Sequence, residues 1–229
     1  MSLAEKSSEL VSYLRKIETA QSPTAFACSF GAEDMVLLDA IAKNAGKIEV
    51  FTLDTGRLPE ETQALLETVR DKYPLAIRTW FPDAVEIKAW VEQNGPNAFY
   101  KSAAQRKQCC QIRKVEPLKR ALSGKKSWIT GLRRDQSQAR HDLELESWDD
   151  ANGLIKINPL LDWTNDEVWA YIKLHDVPYN ALHDRGYPSI GCAPCTQAVK
   201  PGEDIRAGRW WWESSNKECG LHQHKAVTS

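Results

Sequence analysis

The sequence predicts an α/β fold: a mainly parallel sheet covered by helices on both faces, followed by a loop-rich C-terminal segment and a mobile tail. Three observations predict it. Short apolar runs of strand length alternate with amphipathic runs of helix length, and this pattern requires parallel pairing with helical crossovers. Three of the predicted strands run into Gly, Asp or Ser, the usual loop residues after a strand. The strongest break falls near residue 180, where "NALHDRGYPSIGCAPCTQAVKPGED" is rich in Pro and Gly and reads as loop.

In chain order, "MSLAEKSSELVSYLRKIETA" reads as an amphipathic helix and lacks the apolar core of a signal peptide. "TAFACSF" is a strand that runs into Ser29 and Gly31, and "EDMVLLDAIAKNAG" is the helix after it. "KIEVFTLDTG" and "RLPEETQALLETVRDKY" form a second strand and helix, and "LAIRTWF" and "DAVEIKAWVEQNG" a third pair. "KSWITGL" and "LIKINPLL" add two strands. "TNDEVWAYIKLHD" starts with Thr164 and Glu167 in the spacing of a capping box, so it reads as a helix.

The 229 residues carry 42% hydrophobic and 27% charged side chains with a net charge of −1, the profile of an ordinary globular chain. That balance argues against a nucleic-acid or membrane coat, and no run reaches the roughly 20 apolar residues of a membrane span. A cytoplasmic location is expected, where six cysteines need a purpose other than disulfides. Charge is locally uneven. Lys101 to Arg134 holds eleven Lys or Arg and one acid, Glu116, while 142 to 150 holds five acids. The acidic run reads as a solvated face; the basic block suits an anion.

Ligands in such sheets sit beyond the carboxyl ends of the strands, where this chain places "CSFGAED", "LDTGR" and "TGLRRDQS". In "SFGAED" the amides near Ser29 and Gly31 would stand at a helix N-terminus and attract an anion. The Lys-Ser/Thr of a Walker loop is missing. Four cysteines come in two pairs, Cys109 with Cys110 and Cys192 with Cys195, which can supply four thiolates to a metal group. A structural zinc site is one reading. Adjacent helical side chains diverge by about 100°, which suits the spread vertices of a four-iron cube better. Cys28 sits in a predicted buried strand and reads as core. Cys219, ten residues from the end, suits neither a core nor a disulfide. Lys217, His222, His224 and Lys225 nearby favour a thiolate there, and an inert tail is the bland alternative.

"SFGAED", "LDTGRLPEET", "CCQIRKVEPL", "TGLRRDQS", "INPLLDWT", "YPSIGCAPCT", "PGEDIRAGRWWW" and "KECGLH" together resemble the assimilatory sulfonucleotide reductases. The closer likeness is to the cluster-containing branch that acts on adenosine 5′-phosphosulfate (APS). The match runs in order from about residue 24 to 224. It implies an adenine-nucleotide α-hydrolase-like fold and one 4Fe–4S cluster on Cys109, Cys110, Cys192 and Cys195. It further implies APS reduction to sulfite and AMP, with Cys219 as the nucleophile. By the same resemblance Ser29, Gly31 and Asp34 belong to the phosphosulfate loop, and Leu53 and Asp54 lie where adenine and ribose sit. Gly131, Arg133, Arg134 and Arg140 form a basic loop, and Arg206 and Arg209 grip the anion. Lys114 is expected between cluster and substrate, and His222 to orient the tail or lower the Cys219 pKa. No cysteine is left to resolve an adduct, so thioredoxin or glutaredoxin is the expected donor.

This reading treats 1–229 as one domain, with a nucleotide-binding core over 1–178, a cluster and arginine segment over 179–212, and a catalytic tail over 213–229. It implies no nucleic-acid or membrane partner and leaves a homo-oligomer open. The 3′-phosphorylated substrate (PAPS), alone or beside APS, is the alternative. A remoter one is an ATP-dependent enzyme that inserts sulfur into tRNA. Its loop has the form S-G-G-x-D-S, but here Phe30 and Asp34 replace the second and last residues.

Overall fold

The computed structural model describes residues 1–137, 140–213 and 221. Six strands form one sheet: β1 (Thr24–Ala27), β2 (Glu49–Leu53), β3 (Ile77–Trp80), β4 (Ser127–Ile129), β5 (Glu146–Asp149) and β6 (Leu154–Ile157). Their order is β3-β2-β1-β4-β6-β5, all parallel except the edge pair β5 and β6. The sheet therefore grows outward from β1 in both directions, and the crevice between β1 and β4 is its switch point.

Strand alternation builds two cores. Phe26, Val50, Ile129 and Ile157 face one side, against α1 (Leu3–Ala20), α2 (Ala32–Asn44) and α7 (Asn165–Leu174). Ala25, Phe51, Trp128 and Leu154 face the other, against Leu118, Ala121 and Leu122 of α6 (Glu116–Leu122). Each large side chain buried in this way contributes about 1.5–3 kcal/mol. The remaining helices are α3 (Glu60–Lys72), α4 (Ala84–Asn94) and α5 (Ala103–Cys110).

The expected capping box forms: Thr164 Oγ1 accepts from the Glu167 amide at 3.2 Å, and Glu167 Oε2 accepts from the Thr164 amide at 2.8 Å. Ser2 and Glu5 close an equivalent box at the start of α1. Part of the acidic run, read as a solvated face, forms the antiparallel edge strand β5. Its Glu146 and Trp148 are exposed, and charge on an outer strand discourages edge-to-edge pairing. No helix among the described residues is long and apolar enough to cross a membrane.

The segment after α7 is pinned back onto the core. Asn180 Nδ2 donates to Thr62 Oγ1 at 2.9 Å, and the Ala193 amide donates to the Arg57 carbonyl at 2.8 Å. Glu213 meets the buried Arg106 side chain at 2.6 Å. That guanidinium also lies 4.4 Å from the Trp210 ring centroid.

Candidate active site

A cavity of about 230 Å³ opens at the switch point, lined by residues that follow β1, β2 and β4 together with residues from the C-terminal segment. Its floor is the turn after β1. Phe30, buried there, adopts φ 62°, a left-handed conformation that a bulky residue enters only under constraint. Gly31 is the N-cap of α2 and has no side chain to cap it, so the first-turn amides keep no side-chain acceptor of their own.

The turn is held by Asp34, whose Oδ2 accepts from both the amide and the hydroxyl of Ser29 at 2.6 Å. Burial pushes the Asp34 carboxyl up to about 6; hydrogen bonds from Ser29 and from the Gly131 backbone work against the rise, and Glu33 adds to it. Gly131 has to be glycine, because a Cβ there would run into the Asp34 carboxylate and the Glu33 side chain. The loop after β4 thus rests directly on the first turn of α2.

Nine predicted site residues line this cavity: Ser29, Gly31, Asp34, Leu53, Lys114, Gly131, Arg140, Arg206 and Arg209. Leu221 joins them and, like Leu53 and Trp80, packs against the core cluster that holds Phe51, Leu118 and Trp128. Three others are not in the lining. Asp54 turns its carboxylate onto the Gly56 amide at 2.8 Å, a local Asx turn. Arg133 is buried and bonded to Glu33 at 2.8 Å and to the Trp163 carbonyl at 2.9 Å, so it braces α2 against the loop. Arg134 pairs with Asp162 and donates to the Leu143 carbonyl. Of the three arginines expected in that basic loop, Arg140, which is bonded to Gln136, is the one in the cavity lining. Cys219 and His222 lie outside the described residues.

His183 was not singled out by the sequence, yet it lines the same cavity. A lone histidine in a Pro/Gly-rich loop carries no signal of its own. Arg209 is buried; its Nη1 lies 3.4 Å from the Ser189 hydroxyl and from the Ile190 carbonyl, and its guanidinium is 4.7 Å from the Trp210 ring centroid. Gly191 makes room for that guanidinium, since a Cβ there would collide with it.

Behind the cavity lies a smaller chamber lined by Cys109, Cys110, Cys192 and Cys195, with Arg57, Arg106, Arg113, Lys114 and Arg209 around them. All four cysteines are buried and form no disulfide. α5 delivers the first pair and runs straight into a π-helical turn, Gln111–Val115, that carries Arg113 and Lys114; such turns recur at functional sites. Burial pushes Cys195 up to about 12. At Cys192 burial acts the same way but is outweighed by Lys114, by the Thr55 hydroxyl 3.2 Å from its sulfur, and by Arg209 and Arg113, so that thiol falls below its ordinary value.

No group of three or more His, Cys, Asp or Glu among the described residues is set to hold a metal ion. The donor chemistry nevertheless fits a larger anionic group bound by four thiolates. Nε1 of Trp90, Trp210 and Trp212 and Nε of Arg113 and Arg209 are buried without a hydrogen-bond partner among the described residues. Buried donors are rarely left unpaired, and sulfur-rich anions accept such N–H groups. Lys114 and Arg209 belong to both chamber and cavity.

In sequence and in fold the chain is similar to known proteins. The phosphoadenosine phosphosulfate reductase domain matches residues 23–198. The adenosine 5′-phosphosulfate reductase of Allochromatium vinosum is 55% identical over 201 residues, covering 87% of this chain and 78% of that protein. The enzyme of the same name from Burkholderia cepacia is 51% identical over 221 residues, 96% of this chain and 88% of that one. The crystal structure of phosphoadenylyl-sulfate reductase from Candida auris superposes with a TM-score of 0.71 at 30% identity, over 83% of this chain and 90% of that one. An FMN adenylyltransferase from Candida glabrata shares the fold at 16% identity and a TM-score of 0.58, over 92% and 74% of the two chains. The chain belongs to the phosphoadenosine phosphosulfate reductase family, and within it to the adenosine 5′-phosphosulfate reductases.

Proposed function

We propose that the protein reduces APS to sulfite and AMP through an S-sulfocysteine on Cys219, with a dithiol protein such as thioredoxin or glutaredoxin as electron source. The observation that carries this reading is the wall shared by cavity and chamber. Lys114 and Arg209 stand in both, so an anion in the cavity and thiolates in the chamber would draw on the same cations. The names of the relatives at 55% and 51% identity support APS as substrate.

In this account adenine rests among Phe51, Leu53, Leu118 and Trp128 of the cavity wall. The phosphate meets the Ser29–Gly31 turn, and Asp34 yields its hydrogen bonds there to the incoming anion. Arg140, Arg206, Arg209 and Lys114 neutralise the sulfate end, where a guanidinium fork matches the oxygens. The Cys219 thiolate attacks the sulfate sulfur. A bond between the two sulfurs forms, the bond from sulfur to the phosphate oxygen breaks, and AMP leaves with that electron pair. The partner's thiolate then attacks the Cys219 sulfur and expels sulfite. Its second thiol resolves the mixed disulfide, so the partner supplies both electrons.

Leu221 supports the assignment of the nucleophile: it lines the cavity, and two residues of chain span at most about 7 Å, within reach for a thiol at position 219. Cys28 also lines the cavity, but burial and the Asp34 carboxylate hold it well above its ordinary pKa, which leaves it a poor nucleophile. His222 would orient the tail. Bound on Cys109, Cys110, Cys192 and Cys195, one 4Fe–4S cluster would supply fixed negative charge and tie α5 to the C-terminal segment. The chain then works as one unit, in the cytoplasm, with core, cluster segment and tail meeting at a single site.

A sulfite assay with purified protein, APS and reduced thioredoxin tests the reading; no sulfite above background contradicts it. PAPS is the second reading, favoured by the Candida auris likeness. A kcat/KM for PAPS ten times that for APS, about 1.4 kcal/mol in the transition state, would select it.

A further inference from the structure

We infer that His183 is a specificity-determining residue that accepts a hydrogen bond from a neutral donor on the nucleoside, a ribose hydroxyl or the adenine amino group. The inference rests on the nucleotide reading above. His183 lines the cavity, and its Nε2 is buried with no partner among the described residues, a condition that calls for a ligand or an ordered water. The Tyr187 main chain raises the ring's pKa against the effect of burial, the sense of a carbonyl facing a ring N–H. With Nε2 unpartnered the donor is Nδ1, and in a neutral imidazole Nε2 is then a lone-pair acceptor. Burial lowers the pKa against the opposing pull of Glu33, Tyr187 and Asp184, which keeps the ring neutral at neutral pH.

The acceptor is held firmly. The ring packs edge-on against Trp169 of α7 at 5.2 Å between centroids. Its loop is fixed by the bond from Asn180 to Thr62 and by the Leu182 amide on Asn180 Oδ1 at 3.0 Å. A phosphate or sulfate oxygen has no proton to give to a neutral Nε2, so the partner on a sulfonucleotide has to be on its nucleoside half.

Calorimetric titration with AMP, 2′-deoxyAMP, 3′-deoxyAMP and IMP tests this on the wild-type protein and on His183→Phe and His183→Gln. The wild type should bind the one analogue that lacks the matching donor on the order of tenfold more weakly than AMP. His183→Phe should weaken AMP by a similar factor and show no further loss with that analogue, and His183→Gln, which retains an acceptor, should recover part of the affinity. Equal wild-type affinity for all four nucleotides overturns the inference without any variant, as does a uniform loss across all four in His183→Phe. A wild type that binds none of them, and makes no sulfite from APS, overturns the nucleotide reading itself and this inference with it.

Discussion

Replacing Asp34 with Asn probes the tightest part of the site. The carboxyl is buried, and its pKa rises from 3.8 to about 6, mainly through burial. An acid that is raised on folding is destabilising when ionised. Its contribution is fully present below about pH 4 and is lost as the pH climbs through 6. The rise, at about 1.4 kcal/mol per pH unit, sets a ceiling of about 3 kcal/mol on what the folded protein gives up at pH 8. Asparagine is neutral at every pH and resembles the protonated acid in shape and bonding. Urea unfolding of wild type and Asp34→Asn should therefore nearly coincide at and below pH 4, separate as the pH rises from 4 to 6, and run parallel above that, with the variant the more stable by up to about 3 kcal/mol. Curves that stay parallel from pH 4 to 6, or a wild type that gains on the variant over that range, would refute the reasoning.

Glu213→Ala strips the carboxylate from buried Arg106 and should cost about 3 kcal/mol in urea unfolding; a loss below about 0.5 kcal/mol contradicts the pairing. Gly131→Ala drives a methyl group into the Asp34 carboxylate, so it should lower stability by about 1–3 kcal/mol and weaken AMP binding, and wild-type behaviour in both assays counts against the close approach. Cys192→Ser should remove the iron and visible absorbance of anaerobically purified protein, whereas stoichiometric zinc without iron in the wild type would reject the cluster.

Much of the fold was legible because it rests on local rules. The alternation of Phe26, Val50 and Ile129 with Ala25, Phe51 and Trp128 is written into the strands, and Thr164 with Glu167 marks its own helix start. β5 was not legible: Glu146–Asp149 carries two acids and a turn-prone serine, and its pairing with β6 is a tertiary fact. The same divide runs through the site. Strand-end glycines and paired cysteines announce themselves; Lys114, expected between cluster and substrate, lines both the cavity and the thiol chamber. Arg133 and Arg140 look alike in "GLRRDQSQAR", yet Glu33 takes Arg133 into the scaffold and leaves Arg140 to the cavity wall. His183 acquires meaning only when Asn180 fixes its loop and Trp169 of α7 packs against its ring, contacts that no local pattern announces.

The central claim is that Cys219 carries the sulfo group. Mixing the protein with APS and no reductant isolates that step, and mass spectrometry of the digested protein reads it. The account predicts one equivalent of AMP per active site, a sulfo adduct on the peptide containing "ECGLH", and sulfite released only when reduced thioredoxin is added. Cys219→Ser should still bind AMP but form no adduct. An adduct mapped to Cys28, or sulfite production that survives in Cys219→Ser, would contradict the account.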